Sequence, residues 1–251
     1  QFGMNYGINN HEGKPSFEKM KNILDLAKLK GINLLDTAEA YGDSQNRIGE
    51  YHNTCSDKFN IITKFSPNRL DLSKNIKKRI NQNLVNLNVK YLYSYMFHSF
   101  EDYKKYFSLF KKDLIWLKKN KKIKKIGVSL HSNAEITEVL LNDHIDLIQL
   151  PFNLFDNSNH RQDILLKAKS NGVEIHTRSV FLQGLFFKDP NKISGNLIDF
   201  KRHLTKLYKL VNLEKMNDLA LNYVCSKDYV DGVLFGVDSV EQLKSNIDSY
   251  E

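Results

Sequence analysis

Residues 34–42 read LLDTAEAYG, and the fold turns on the residues after the apolar start of that stretch. An open, doubly wound α/β sheet would place a glycine-rich dinucleotide loop after an early strand. Here the strand-like run 33–36 feeds DTAEAYG instead, and no GxGxxG occurs anywhere in the chain. That favours a closed (β/α) barrel, in which strand C-termini converge on one rim that carries the chemistry. Asp36 ends this run and Tyr41 stands just beyond it; Lys64 ends the run 59–64, and His98 ends 91–98. Each of the four, taken alone, has an ordinary structural reading as a loop closure, a solvated strand end or a satisfied core residue. Together at three successive strand ends they predict general acid–base work on a carbonyl or an alcohol.

Outward from that stretch, further strand-like runs fall at 126–129, 147–150, 173–177 and 232–235, making seven. Helical patterns lie between them at 17–29, 44–51, 72–87, 107–117, 134–141, 162–170, 215–225 and 240–247. In the first, Phe17, Met20, Ile23, Leu24 and Ala27 recur at helical spacing, Ser16 can cap the start and Gly31 can stop the end. Ser73 or Asp71 can cap the helix over 72–87. Seven alternations predict a mostly parallel sheet with helices outside. The expected fold is an α/β (β/α)8 TIM barrel, one domain over 1–251, with its first strand truncated or missing. The chain opens abruptly at Gln1–Phe2, which reads as the tail of that strand, so the natural protein is expected to begin upstream. Residues 186–213 show no clean strand and carry a helical pattern over 199–210, which predicts a specialised rim insertion.

Apolar residues make up 41% of the 251, with 12 Tyr and 15 Phe among them, enough to fill such a core. The two cysteines, Cys55 and Cys225, have no metal-ligand spacing. They read as buried free thiols in a reducing, cytoplasmic protein. No run approaches the length of a membrane span and no signal peptide precedes the chain, so no membrane partner is expected. The net charge of +8 comes mostly from lysines, as in KKDLIWLKKNKKIKK over 111–125. They are interspersed with expected core positions Leu114, Ile115, Leu117, Ile123 and Ile126, which predicts a solvated helix face and no nucleic-acid partner. Such a charge can attract an anionic substrate or cofactor at long range. His98, His131 and His176 have no recognisable ligand spacing with acidic partners, so no metal is expected.

A free phenol holds its proton at neutral pH, and a nearby ammonium favours the phenolate. Lys64 can supply that ammonium to Tyr41, Asp36 can hold Lys64 charged and aimed, and His98 can orient a substrate oxygen. LLDTAEAYG, IITKF and YMFHS together resemble the motifs of the aldo-keto reductase family, over essentially the whole chain. The resemblance implies a barrel that binds NADPH, less often NADH, in extended form, with Tyr41 as general acid in reduction and Asp36, Lys64 and His98 beside it.

The same resemblance carries over a set of cofactor-binding residues. Ser129, in Gly127–Val128–Ser129, and Gln149, in LIQLPFN, match the carboxamide segment. Arg178 stands where many members stack an aromatic ring, with Ser179 and Phe181 after it. A guanidinium plane can stack too, but it brings a charge. Leu130 replaces a common asparagine, for which His131 or Asn153 can substitute. In VLFGVDSVEQLKSNI, Gly236, Asp238, Ser239, Gln242 and Asn246 match the phosphate and ribose segment. Gly236 and Gln242 fall where a lysine and an arginine commonly grip a 2′-phosphate, and Asp238 opposes one. Backbone donors beside Gly236, or Lys188, Lys192 and Arg202 of the insertion, can restore the grip. The implied cofactor is NADP(H), with NAD(H) close behind. The segments QLPFNLFD and RSVFLQGLF are similar to a bacterial surface-polysaccharide subgroup, which implies a small, sugar-like carbonyl substrate in carbohydrate metabolism. Phe2, Tyr6, Phe152, Phe155 and Arg178 are its candidate rim contacts. Two alternatives remain open: a cofactor-sensing binding module with little turnover, and a lyase or epimerase on the same barrel. The oligomeric state is not specified.

Overall fold

The computed structural model of the chain describes residues 2–4, 13–67, 75–193 and 195–250. Seven parallel strands pair in chain order among these residues: β1 (Leu34–Asp36), β2 (Asn60–Phe65), β3 (Leu92–Phe97), β4 (Ile123–Ser129), β5 (Leu147–Pro151), β6 (Glu174–Arg178) and β7 (Gly232–Val233). The sheet curls into a barrel, because side chains meet across its lumen. Gln149 of β5 donates to Asp36 of β1 at 3.0 Å, and the Tyr93 hydroxyl of β3 lies 2.9 Å from both carboxylate oxygens of Glu174 in β6. β1 and β7 are the sheet's two ends, so the described barrel is one strand short of eight. The outer helices α1 (Phe17–Leu29) and α9 (Val240–Asp248) pack against each other.

Strand alternation separates two cores. The larger one fills the layer between sheet and helices and includes Ile61, Phe65, Phe97, Val128, Ile148 and Leu150. The smaller one, Ile62, Met96 and Leu147, lies on the other face, one turn of the pleat below Lys64, His98 and Gln149. It gives the polar rim an apolar floor.

The remaining helices are α2 (Ser44–Asn53), α3 (Ile76–Leu87), α4 (Phe100–Lys119), α5 (Asn133–Val139), α6 (Ser158–Ser170), α7 (Ile198–Leu210) and α8 (Met216–Cys225). α1 has the expected bounds; the Ser16 hydroxyl accepts from Lys19 N–H, and Gly31 follows the end at φ +78. α3 begins at Ile76 with Asn75 as its cap, and the expected caps Asp71 and Ser73 lie outside the described residues. α4 begins seven residues before its apolar pattern suggested, because the Ser99 hydroxyl caps it. Its lysine-rich tail is not one helix face. The helix stops at Lys119, Lys121 turns the chain at φ 56, and Ile123 starts β4. Ile123 and Ile126 are fully buried, and their burial against α4 and β3 decides the matter. Ile115 points outward instead of into the core. Cys55 and Cys225 are free thiols but only half-buried. The segment 186–213 forms short 3-10 turns followed by α7. No described helix is long and apolar enough to cross a membrane.

Candidate active site

Asp36 is the last residue of β1, yet the chain stays beside β2 past that point. Thr37 N–H donates to the Ile62 carbonyl at 2.9 Å and Glu39 N–H to the Lys64 carbonyl at 3.1 Å. The path then turns sharply. Tyr41 N–H reaches the Ala38 carbonyl at 3.1 Å, and Gly42 at φ +56 redirects the backbone into α2. The backbone of Gly3 lies against the Tyr41 carbonyl and Ser44 N–H so closely that any side chain there would clash. Arg47 of α2 holds that segment through the carbonyls of Phe2 and Pro15. The rim turn that presents Tyr41 is thus gripped from both sides.

The four predicted residues converge. Lys64, 1% exposed, forms an ion pair with Asp36 and lies 3.4 Å from the Thr37 carbonyl. Its ammonium stands 5.6 Å from the centroid of the Tyr41 ring. His98, just beyond β3, meets that ring edge-on, centroids 5.6 Å apart at 77°. Burial pushes the Lys64 ammonium below its usual range while Asp36 opposes the shift. Burial, and then the Lys64 charge, push His98 down to about 4, so its imidazole is neutral at physiological pH. A neutral imidazole can donate a hydrogen bond.

The expected carboxamide pair also meets at this rim. Ser129 ends β4 in register with Gln149 of β5, and both are buried. Gln149 donates to the Asp36 oxygen Oδ2, so Asp36 is shared between Lys64 and Gln149. Arg178 ends β6 with a guanidinium nitrogen 3.1 Å from His131, and its charge contributes to lowering both Lys64 and His98. Ser179 follows at φ 61, its carbonyl accepting from the buried Asn153 at 3.2 Å. Asn153 also caps the following turn through Phe155 and Asp156 N–H, so it is a scaffold for the loop. Phe181 packs on Phe187 with centroids 5.5 Å apart.

A model of the aldo/keto reductase family matches residues 2–251. The chain belongs to the aldo/keto reductase family. It is accordingly an NAD(P)-dependent oxidoreductase. Solved structures of similar fold include the holo form of aldo-keto reductase AKR11C1 from Bacillus halodurans, at 21% identity and TM-score 0.77, covering 100% of this chain and 91% of that one. The apo form of the same protein matches at 23% and TM-score 0.73, covering 99% and 84%. A Pseudomonas aeruginosa protein assigned to the aldo-keto reductases matches at 19% and TM-score 0.72, covering 99% and 85%. No curated protein shows significant similarity to the chain.

In this reductase the phosphate-type segment closes on itself. The Ser239 hydroxyl caps α9 by accepting from Gln242 N–H at 3.2 Å, and the Gln242 side chain accepts from Asp238 N–H at 2.7 Å. The Asp238 and Gln242 N–H groups at the start of α9 are therefore occupied. Glu241, held below its usual range by its own N–H and the Ser239 hydroxyl, adds a carboxylate to the helix start. Gly236 is exposed with open space around it, and Asn246 is buried on α9. Among the substrate candidates, Phe152 is fully buried and stacks on Tyr223 at 5.8 Å, so it is core packing and not a rim contact. Phe155 is partly buried and packs on Phe186 and Phe200, and Phe2 packs against the main core. Tyr6 lies outside the described residues.

Glu39 and Arg79, which were not among the residues expected from sequence, form a fully buried ion pair behind the site. A signal was present. The buried face of α3 includes Ile76, Arg79, Ile80, Asn83, Leu84 and Leu87, all on one stripe. An arginine and an asparagine on an apolar stripe imply a buried polar partner.

Proposed function

We propose that this reductase interconverts a carbonyl and its alcohol with Tyr41 as proton donor, Lys64 and Asp36 as its electrostatic support, and His98 orienting the substrate oxygen. The observation that carries this reading is the buried Lys64–Asp36 ion pair placed under the Tyr41 ring, with a neutral His98 at the ring's edge. Negative charge that develops on the substrate oxygen during reduction takes the phenolic proton. The phenolate left behind is stabilised by the Lys64 ammonium, and Asp36 keeps that ammonium charged despite its burial. A bound nicotinamide supplies the hydride. The donor set fits one, since Ser129 and Gln149 offer adjacent buried hydrogen-bonding groups between Asp36 and Arg178.

Arg178 and His131 give the rim a polar, cationic flank, which supports a hydroxylated, sugar-like carbonyl substrate over a purely apolar one. For the cofactor, NADP(H) requires Lys188, Lys192 or Arg202 of the 186–213 segment to reach the 2′-phosphate. Asp238, Glu241 and the occupied donors at the start of α9 favour NAD(H).

Replacing Tyr41 with Phe tests the assignment. Turnover of a good aldehyde should fall by roughly 100-fold or more, the size of effect general acid catalysis supplies, while reduced-cofactor affinity stays close to the parent's. Undiminished turnover would rule the assignment out. A parent protein that binds cofactor tightly yet oxidises none of it against an aldehyde panel would establish the cofactor-sensing alternative.

A further inference from the structure

The Glu39 carboxylate gathers donors from three directions. Arg79 Nε donates at 2.7 Å and Nη2 donates as well; Ser66 N–H donates at 3.1 Å, Asn83 at 2.6 Å and the Tyr95 hydroxyl at 2.9 Å. Arg79 Nη2 also donates to the Ser66 carbonyl, and the guanidinium lies 4.5 Å from the Phe65 ring centroid. Glu39 is 3% exposed and Arg79 is 2% exposed.

Such a pair makes a poor stabiliser. A buried ion pair roughly breaks even against apolar packing, because desolvating both charges offsets their attraction. Arg79 Nη1 is buried without a partner, which adds a further cost. What the pair does supply is geometry. Glu39 stands two residues before Tyr41, and its N–H already holds the Lys64 carbonyl at 3.1 Å. Ser66, bound at both its N–H and its carbonyl, stands two residues after Lys64.

We propose that the Glu39–Arg79 pair is a positioning clamp that fixes the Tyr41-bearing turn against the Lys64-bearing end of β2, and so sets how closely ammonium and phenol approach. Glu39 and Arg79 touch neither substrate nor cofactor; they act through Tyr41 and Lys64. The inference rests on the proton-transfer roles given to those two residues. A displacement of about 1 Å at a reacting group can cost about 100-fold in rate, so a clamp behind the site has kinetic weight.

The test uses the double variant Glu39→Gln/Arg79→Met. It removes both charges and the guanidinium fork, and it leaves one amide oxygen, enough to keep either the Tyr95 and Asn83 bonds on one side or the Ser66 bond on the other. The folded state is checked by thermal unfolding and by reduced-cofactor affinity. The expected result is a folded protein with kcat lowered about 10- to 100-fold and with carbonyl KM and cofactor affinity within about threefold of the parent. The basic limb of the reduction profile should move up by about one pH unit, because a phenol farther from the ammonium keeps its proton longer. Arg79→Lys, which keeps one charged donor to Glu39, should recover part of the rate. Unchanged kcat and an unmoved limb in a folded double variant would overturn the clamp. So would a fall in kcat that merely tracks a loss of folded protein, with the basic limb unmoved. Tyr41→Phe, run in parallel, separates the two readings. If it abolishes turnover while the double variant behaves like the parent, only the clamp fails; if it does not, the site assignment fails first.

Discussion

Gln149 and Asp36 stand 113 residues apart in the chain and 3.0 Å apart in space, joined across the barrel lumen from β5 to β1. Because Lys64 binds the other Asp36 oxygen, one carboxylate organises both the proposed proton-transfer pair and a residue of the expected cofactor site. The neutral change Asp36→Asn would leave a nearly fully buried ammonium uncompensated. Unfolding free energy should fall by roughly 3–5 kcal/mol, the usual result of removing one partner of a buried pair. Gln149→Ala leaves Lys64 paired with Asp36; it removes a hydrogen bond and some buried volume and should cost less, about 1–2 kcal/mol. Urea unfolding of both variants decides this, and equal losses would show that Asp36 is not what neutralises Lys64.

His98 makes stability depend on pH in a defined sense. An unfolded histidine binds its proton below about 6.5, whereas native His98 resists protonation until about 4. Between those values the unfolded chain holds the extra proton, so acid favours unfolding. The stabilising contribution is fully present above about 6.5 and is lost as pH falls through about 4. Buried His52, also lowered by desolvation, acts in the same direction. Stability measured from pH 4 to 7 should therefore rise with pH, and His98→Gln should flatten part of that slope by up to about 1.4 kcal/mol per pH unit, the one-proton limit. An identical slope in the variant would contradict the neutral imidazole.

At Gly49, α2 packs tightly against the end of α3. A Cβ there would run into the Asn86 carbonyl, which is backbone and cannot swing away. Gly49→Ala should therefore destabilise the fold by about 1–3 kcal/mol despite the better helix propensity of alanine. Turnover per folded molecule should stay near the parent's. A raised melting temperature would mean that the two helices separate more easily than their packing implies.

The start of α9 predicts the cofactor preference. With Asp238 and Glu241 there and two backbone donors occupied, NADH should bind at least as tightly as NADPH. A contact between the 2′-phosphate and the insertion's lysines would instead give NADPH both the tighter binding and the stronger weakening by salt. Fluorescence titration of both reduced cofactors at low and high salt distinguishes these outcomes. Asp238→Arg should shift the ratio toward NADPH.

Much of this protein was determined by short-range pattern. DTAEAYG after an apolar run, and lysine and histidine at the next two strand ends, specified a barrel rim and its four chemical groups, because strand direction and alternation place such residues without knowledge of distant contacts. The capping serine Ser16 was legible for the same reason, since a cap acts within three residues. Tertiary structure decided what depends on partners far along the chain. Burial of Ile123 ended the lysine-rich helix early, and stacking on Tyr223 took Phe152 out of the rim. It also joined Gln149 to Asp36 and buried Glu39 against Arg79 of α3, contacts spanning 113 and 40 residues. A charged side chain reads as solvated in sequence; only the packed fold shows whether water or an opposite charge satisfies it, because the cost of burial is set by the partner that the fold brings near.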